Sequence, residues 1–373
     1  MNAISIRTLA LAASLAAASL SSQAQTVSVT NLVTDDPSAN PAAISDPGLT
    51  NAWGISYASA GPFWVSSNGG GTSTVYRVDP ITQATTKSAL TVSIPGAGSV
   101  TGQVFNPGGA SQFHGDNFLF VSEDGTVSGW RSALGSSAET LSSSPTSIYK
   151  GAAYANDGTN SYLYAADFHA GTVNVLKGNV AAPSLSGNFT DPGLPSGYAP
   201  FNVQNLNDSL FVAYAKQAPS GPDEVAGSGL GYVDQFDLQG HFVARIASGG
   251  ALNAPWGMAI APDSFGKLAG SLLVGNFGDG RINAYDLSTH ALLGPLVGTD
   301  GQALSIDGLW ALSVGNDGLA GSSNSLYFTA GPGDEQHGLF GVIQSVPEPG
   351  TTMLFSLGLV GLILLNGRHK RSA

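Results

Sequence analysis

Trp53-Gly54-Ile55-Ser56-Tyr57 opens a pattern that returns five times. The copies are Thr101-Gly102-Gln103-Val104-Phe105, Lys150-Gly151-Ala152-Ala153-Tyr154, Phe201-Asn202-Val203-Gln204-Asn205, Trp256-Gly257-Met258-Ala259-Ile260 and Trp310-Ala311-Leu312-Ser313-Val314. Their starts lie 48, 49, 51, 55 and 54 residues apart, too regular for chance. Each is followed by a second run, such as Phe63-Trp64-Val65 or Leu272-Leu273-Val274. A Gly/Asn/Asp turn comes next, then an alternating third run such as Arg281-Ile282-Asn283-Ala284-Tyr285. Short β-branched and aromatic segments separated by glycine and aspartate read as strands of antiparallel meanders. Three or four strands per period near fifty make one blade of a β-propeller. The sequence therefore predicts an all-β, six-bladed propeller of four-stranded antiparallel blades.

Closure of the ring needs one more strand. The last blade lacks an outer strand before Pro347, and Val27-Ser28-Val29-Thr30-Asn31-Leu32-Val33 has no other partner. This N-terminal strand is expected to close the last blade and remove an exposed edge. Composition agrees with one large repetitive domain over residues 25–345. The 373 residues carry a formal charge of −12, are 42% hydrophobic and include 50 glycines. So acidic a chain lacks the basic footprint of a nucleic-acid binder. The absence of cysteine excludes disulfides, thiolate nucleophiles and Cys-ligated metal sites.

Both ends read as addresses. Residues 1–24 have a positive Arg7, an Ala/Leu-rich run from Leu9 to Leu20, and Ser22-Gln23-Ala24. That is a secretory signal helix cleaved after Ala24. Residues 346–373 hold Val346-Pro347-Glu348-Pro349-Gly350, an apolar run from Met353 to Leu365, and Arg368-His369-Lys370-Arg371. The run is shorter than the roughly 20 residues that span a bilayer comfortably. The basic residues after it should stay cytoplasmic. The order of Pro347, Glu348 and Pro349, a short hydrophobic helix and a basic tail resembles the PEP-CTERM sorting signal of Gram-negative bacteria. That resemblance implies an exosortase-type processing enzyme as partner. It also implies a transient anchor in the inner membrane, then a cell-surface or extracellular destination, in company with exopolysaccharide production.

The middle of the chain also resembles a family. Ala199-Pro200-Phe201-Asn202-Val203-Gln204-Asn205, Gly249-Gly250-Ala251-Leu252-Asn253-Ala254-Pro255-Trp256-Gly257 and Val274-Gly275-Asn276-Phe277-Gly278-Asp279-Gly280-Arg281 look like strings of an uncharacterised bacterial family of six-bladed propellers. The resemblance spans roughly residues 31–343. It implies a fold and a destination but no catalytic residue.

No GxSxG, HExxH, P-loop or GxGxxG string is present. Sites must be sought by topology instead. Loops that enter inner strands share one face of a propeller with the turns between second and third strands. Asn51, Asn253 and Asp307 lie in the former; Asp167, His169, Asn276, Asp279, Asp334 and His337 lie in the latter. Asn68, Glu123, Asp124 and Glu335 join them. Oxygen donors of this kind suit calcium, the one candidate ion, or a carboxylate base of raised pKa. They are also the ordinary formers of turns. His169 and His337 each have an acidic neighbour that would orient an imidazole, against the plainer reading of a histidine hydrogen-bonded to a neighbouring blade. His114, His241 and His290 have no such company. Trp53, Trp256 and Trp310 read as inter-blade packing, with carbohydrate stacking as the alternative. Lys216 to Gly229 lengthens the turn of the fourth blade and would either overhang the channel mouth or form an inert surface excursion. Three functions stay open. The first is a non-enzymatic binding module at the cell surface that meets exopolysaccharide or a surface protein. The second is a calcium-dependent, lactonase-like hydrolase, and the third a protein-interaction scaffold.

Overall fold

Successive side chains along a strand point to opposite faces of its sheet. In this chain both faces are buried, so neighbouring residues serve different interfaces. Trp64 packs between blades 1 and 2, while Phe63 and Val65 pack between blades 6 and 1. Phe118 and Phe120 face blade 1, whereas Leu119 and Val121 face blade 3. This is why the second strands read as unbroken apolar runs. The computed structural model describes residues 25–346. The expected signal helix with Ala24, the C-terminal hydrophobic helix and Pro347, Glu348 and Pro349 lie outside the described residues.

Six sheets stand around one axis. Their inner strands are Ala52–Ser56, Val100–Phe105, Tyr149–Asn156, Tyr198–Leu206, Pro255–Ile260 and Leu309–Val314. Each sheet is an antiparallel meander running outward from its inner strand. One buried cluster fills each of the six interfaces between blades, and a seventh fills the axis. Helix is confined, among the described residues, to three short 3-10 segments, Phe113–Gly115, Ser132–Leu134 and Asp263–Leu268.

The last blade closes as expected. Its strands Leu309–Val314, Leu326–Ala330 and Leu339–Ser345 are completed by Thr26–Thr34. That N-terminal strand pairs antiparallel with Leu339–Ser345 in a register running from Val27↔Ser345 to Thr34↔Leu339. One expectation needs correction. Blade 3 has three strands, Tyr149–Asn156, Ser161–Asp167 and Thr172–Lys177. Residues 178–197 cross to blade 4 without forming a strand; this stretch holds prolines at 183, 192 and 195, which cannot donate to a ladder.

The quoted repeat now has a physical reason. In all six blades the inner strand is bulged against its partner at the repeat's start. Inner strands of adjacent blades touch there. A Cβ on Gly102 would lie 2.6 Å from the backbone N of Ala152, and one on Gly257 would lie 2.5 Å from the Trp310 carbonyl. Only glycine permits so close an approach of backbones.

Candidate functional site

The axis is closed near one face by the residues that begin the inner strands. Trp53 and Trp310 stack with ring centroids 3.6 Å apart, and Trp256 meets both edge-on at 6.4 and 5.9 Å. Phe277 stacks on Trp310 at 4.1 Å, and Phe201 leans on the same ring. All three tryptophans are buried, as expected of packing residues. Carbohydrate stacking on them is excluded by that burial. Below them the channel leaves room for about one water, about 20 Å³ beside Gly54, Gly102, Gln103 and Asn202.

Above this plug lies a chain of polar contacts drawn from five blades. Trp310 Nε1 donates to Asn51 Oδ1 at 2.8 Å, and Asn51 Nδ2 donates to Glu335 Oε2 at 2.6 Å. Asn51 also reaches Asn68 at 3.4 Å, and Asn68 Nδ2 donates to Glu123 Oε2 at 3.1 Å. Glu123 Oε1 accepts from Lys150 Nζ at 2.6 Å. The Lys150 ammonium also lies 5.3 Å above the Trp53 ring centroid and 3.9 Å from Asp223. Its side chain is only 2% exposed. Burial alone would lower its pKa, but the carboxylates of Glu123, Glu224 and Asp223 outweigh that and hold it charged. Burial pushes Glu224 up to about 7, against the pull of Lys150. Glu335 is raised too, first by burial.

The long loop of blade 4 covers this network. Glu224–Val225 folds back as a short strand onto Lys216 and Gln217. Gln217 Nε2 donates to the Phe168 carbonyl at 2.6 Å, and Gly227 N to Asn253 Oδ1 at 2.6 Å. Between the loop and blade 3 opens a cleft of about 250 Å³, lined by Ile148, Phe168, His169 and Gln217–Pro222.

Of the thirteen residues singled out from sequence, Asn51, Asn68, Glu123 and Glu335 join the axial network, while Asp124 accepts from Ala97 N and Thr126 N. Asn253 ties down the blade 4 loop. Asp307 accepts from Gly333 N, and Asp167 from Ile148 N, Ala170 N and Asn174, so both brace turns. Asn276 and Asp279 bond each other at 3.0 Å, and Asn276 also donates to the Ala251 carbonyl. Asp334 is exposed. His169 is exposed on the cleft and is not paired with Asp167. His337 turns to Asp35 at 3.2 Å and Asp36 at 3.8 Å beside the N-terminal strand, not to Asp334 or Glu335. Two dismissed histidines do have acidic partners: His114 meets Glu139 at 3.1 Å and His241 meets Asp237 at 2.8 Å. No group of three or more His, Asp or Glu among the described residues is placed to hold a metal ion, and the Lys150 ammonium fills the place among the carboxylates.

Sequence reasoning passed over Lys150, and took Asp223 and Glu224 only as part of the long blade 4 loop. The signal for Lys150 was present: it is the one charged residue at the first position of the six copies.

Residues 345–371 match the PEP-CTERM protein-sorting motif. Fold and signal together define an exported six-bladed β-propeller that is anchored at a membrane during sorting by an exosortase-type system. The chain is 33% identical over 321 residues to Uncharacterized protein R648 of Acanthamoeba polyphaga mimivirus, covering 82% of this chain and 77% of that protein. It is also 33% identical over 323 residues to Uncharacterized protein L690 of the same virus, covering 80% and 81%. The chain belongs to the family that contains these two proteins. Among solved structures, virginiamycin B lyase from Staphylococcus aureus aligns over 86% of this chain and 99% of that one, at 10% identity and a TM-score of 0.48, a likeness of outline that bears on no activity.

Proposed function

We propose that the mature protein, from about residue 25 onward, is a binding module at the cell surface, with its ligand held in the cleft between blade 3 and the blade 4 loop. One observation carries this reading. On the axis Asn51, Asn68, Glu123, Lys150 and Glu335 bond one another, whereas the neighbouring cleft leaves His169 exposed beside a loop far longer than the corresponding turns. Loops on a rigid scaffold are where recognition concentrates. The ligand proposed is an uncharged stretch of exopolysaccharide, because nine Lys and Arg stand against 24 Asp and Glu between residues 25 and 346. Such a surface repels polyanions. Titration calorimetry against polysaccharide from the producing cells tests it. Replacing Ser220-Gly221-Pro222 by a shorter turn should abolish binding while leaving the unfolding midpoint within a few degrees. Binding that survives this change places the ligand elsewhere.

A second reading, hydrolysis without a metal, has Glu224 in its favour, since a carboxyl of pKa about 7 can act as a general acid or base. Lactone hydrolysis with an inflection near that pH, lost in Glu224→Gln, would support it. A protein inert toward lactones leaves the binding reading in place.

A further inference from the structure

The meander gives the propeller two unlike faces. Every inner strand starts on the face that carries Lys150 and the blade 4 loop. The loops from first to second strands, and the turns from third to outer strands, therefore lie on the opposite face. All eight large apolar side chains exposed among the described residues fall toward that opposite face. Ile81 and Val180 follow the third strands of blades 1 and 3 and are 89% and 98% exposed. Phe242 and Val243 open the outer strand of blade 4, and Leu292 and Leu293 that of blade 5. Leu319 sits in the first loop of blade 6, and Val29 is the fourth of nine residues in its outer strand, one short of the middle on that side.

The chain leaves the propeller on this same face. Leu339–Ser345 is a third strand, so it ends where those turns begin, and Val346 N donates to the Thr26 carbonyl at 2.9 Å. Six residues then separate Val346 from the apolar run that starts at Met353. Fully extended, the seven steps from Val346 to Met353 reach at most about 25 Å. The other face lies farther off by the length of a seven-residue strand, roughly 23 Å at 3.3 Å per residue. A domain inverted on this tether would use the whole reach to run back along its own blade.

We infer that, while the C-terminal segment is inserted, the propeller rests on the lipid bilayer with the face bearing Ile81, Phe242 and Leu293, and presents the Lys150 face outward. This rests on the membrane anchoring that the sorting motif implies. The occupant is a lipid surface because the tether holds this face within a short reach of one. Scattered single apolar residues are ordinary on any protein surface; their confinement to the tethered face is what the inference uses.

The chain has no cysteine, so single-cysteine labelling of the full-length protein is unambiguous. Ile81→Cys, Leu293→Cys and, on the outward face, Ser220→Cys would each carry an environment-sensitive fluorophore. Each labelled protein is reconstituted in vesicles of phosphatidylethanolamine with a minority of phosphatidylglycerol. The labels at 81 and 293 should shift to the blue and be quenched by lipid-borne nitroxide several-fold more than the label at 220. Equal quenching at all three sites, or stronger quenching at 220, overturns the inference while co-flotation with vesicles leaves the anchor intact. Failure to co-float removes the anchor and the docking together. Labels at 81 and 293 already shielded before vesicles are added would mark a contact between copies and overturn the lipid assignment.

Discussion

Lys150 stands where the other five copies of the repeat carry tryptophan, phenylalanine or threonine. Its surroundings follow from that exchange, because a buried ammonium needs carboxylates and an aromatic face where a ring would need only packing. Glu123 at 2.6 Å and the Trp53 ring provide both. Lys150→Met should cost about 3 kcal/mol, the lower end of the range for breaking a buried pair, because Glu123 keeps part of its solvent. Denaturant unfolding measures this, and adding Glu123→Gln should recover part of the loss. Asn51 and Glu335 hold left-handed backbone, with φ of 46° and 65°, to make their contact. Glu224 gives a pH dependence whose sign is fixed. Its folded pKa of about 7 exceeds the roughly 4.3 of a glutamate in an unfolded chain, so the folded form binds the proton more tightly. Its stabilising contribution is complete below the unfolded value and is lost as pH rises through about 7. The unfolding midpoint of the wild type should therefore fall more between about pH 5 and about pH 8 than that of Glu224→Gln.

At the level of strands, the sequence was most readable where the physics repeats. Glycine after the first residue marks the contact of inner strands, and the apolar second runs mark sheets buried on both faces. The N-terminal strand was legible by elimination, since Val27–Val33 had no other partner. Deleting residues 26–33 should abolish the soluble monomer, as judged by size-exclusion chromatography, because Leu339–Ser345 would become an open edge. Blade 3 was less legible: an outer strand was expected, but residues 178–197 hold prolines that refuse a ladder. The site was the least legible part. Asp167 and Asn276 have the composition of ligands yet serve as turn braces, which composition cannot distinguish. His337 found Asp35, 302 positions away, a pairing set by ring closure alone.

For the whole molecule, polarity and tether work in the same sense. Polar networks and the cleft occupy one face, while the exposed apolar side chains and the exit of the chain occupy the other. Binding of a neutral polysaccharide to the outward face should be nearly independent of salt. Affinity for an anionic one should instead rise with ionic strength as like-charge repulsion is screened, and calorimetry across a salt series distinguishes the two. Ring closure by the two ends of the described chain also has a consequence in time. Export threads a polypeptide from its N-terminus, so Thr26–Thr34 crosses first and its partner Leu339–Ser345 crosses last, roughly 300 residues later. At a supply of about 5–20 residues per second the first strand waits for some tens of seconds as a bare β-edge. Throughout that wait the nascent propeller is a coil of blades with a gap, and whatever guards unpaired strands on the far side of the membrane has that interval in which to act.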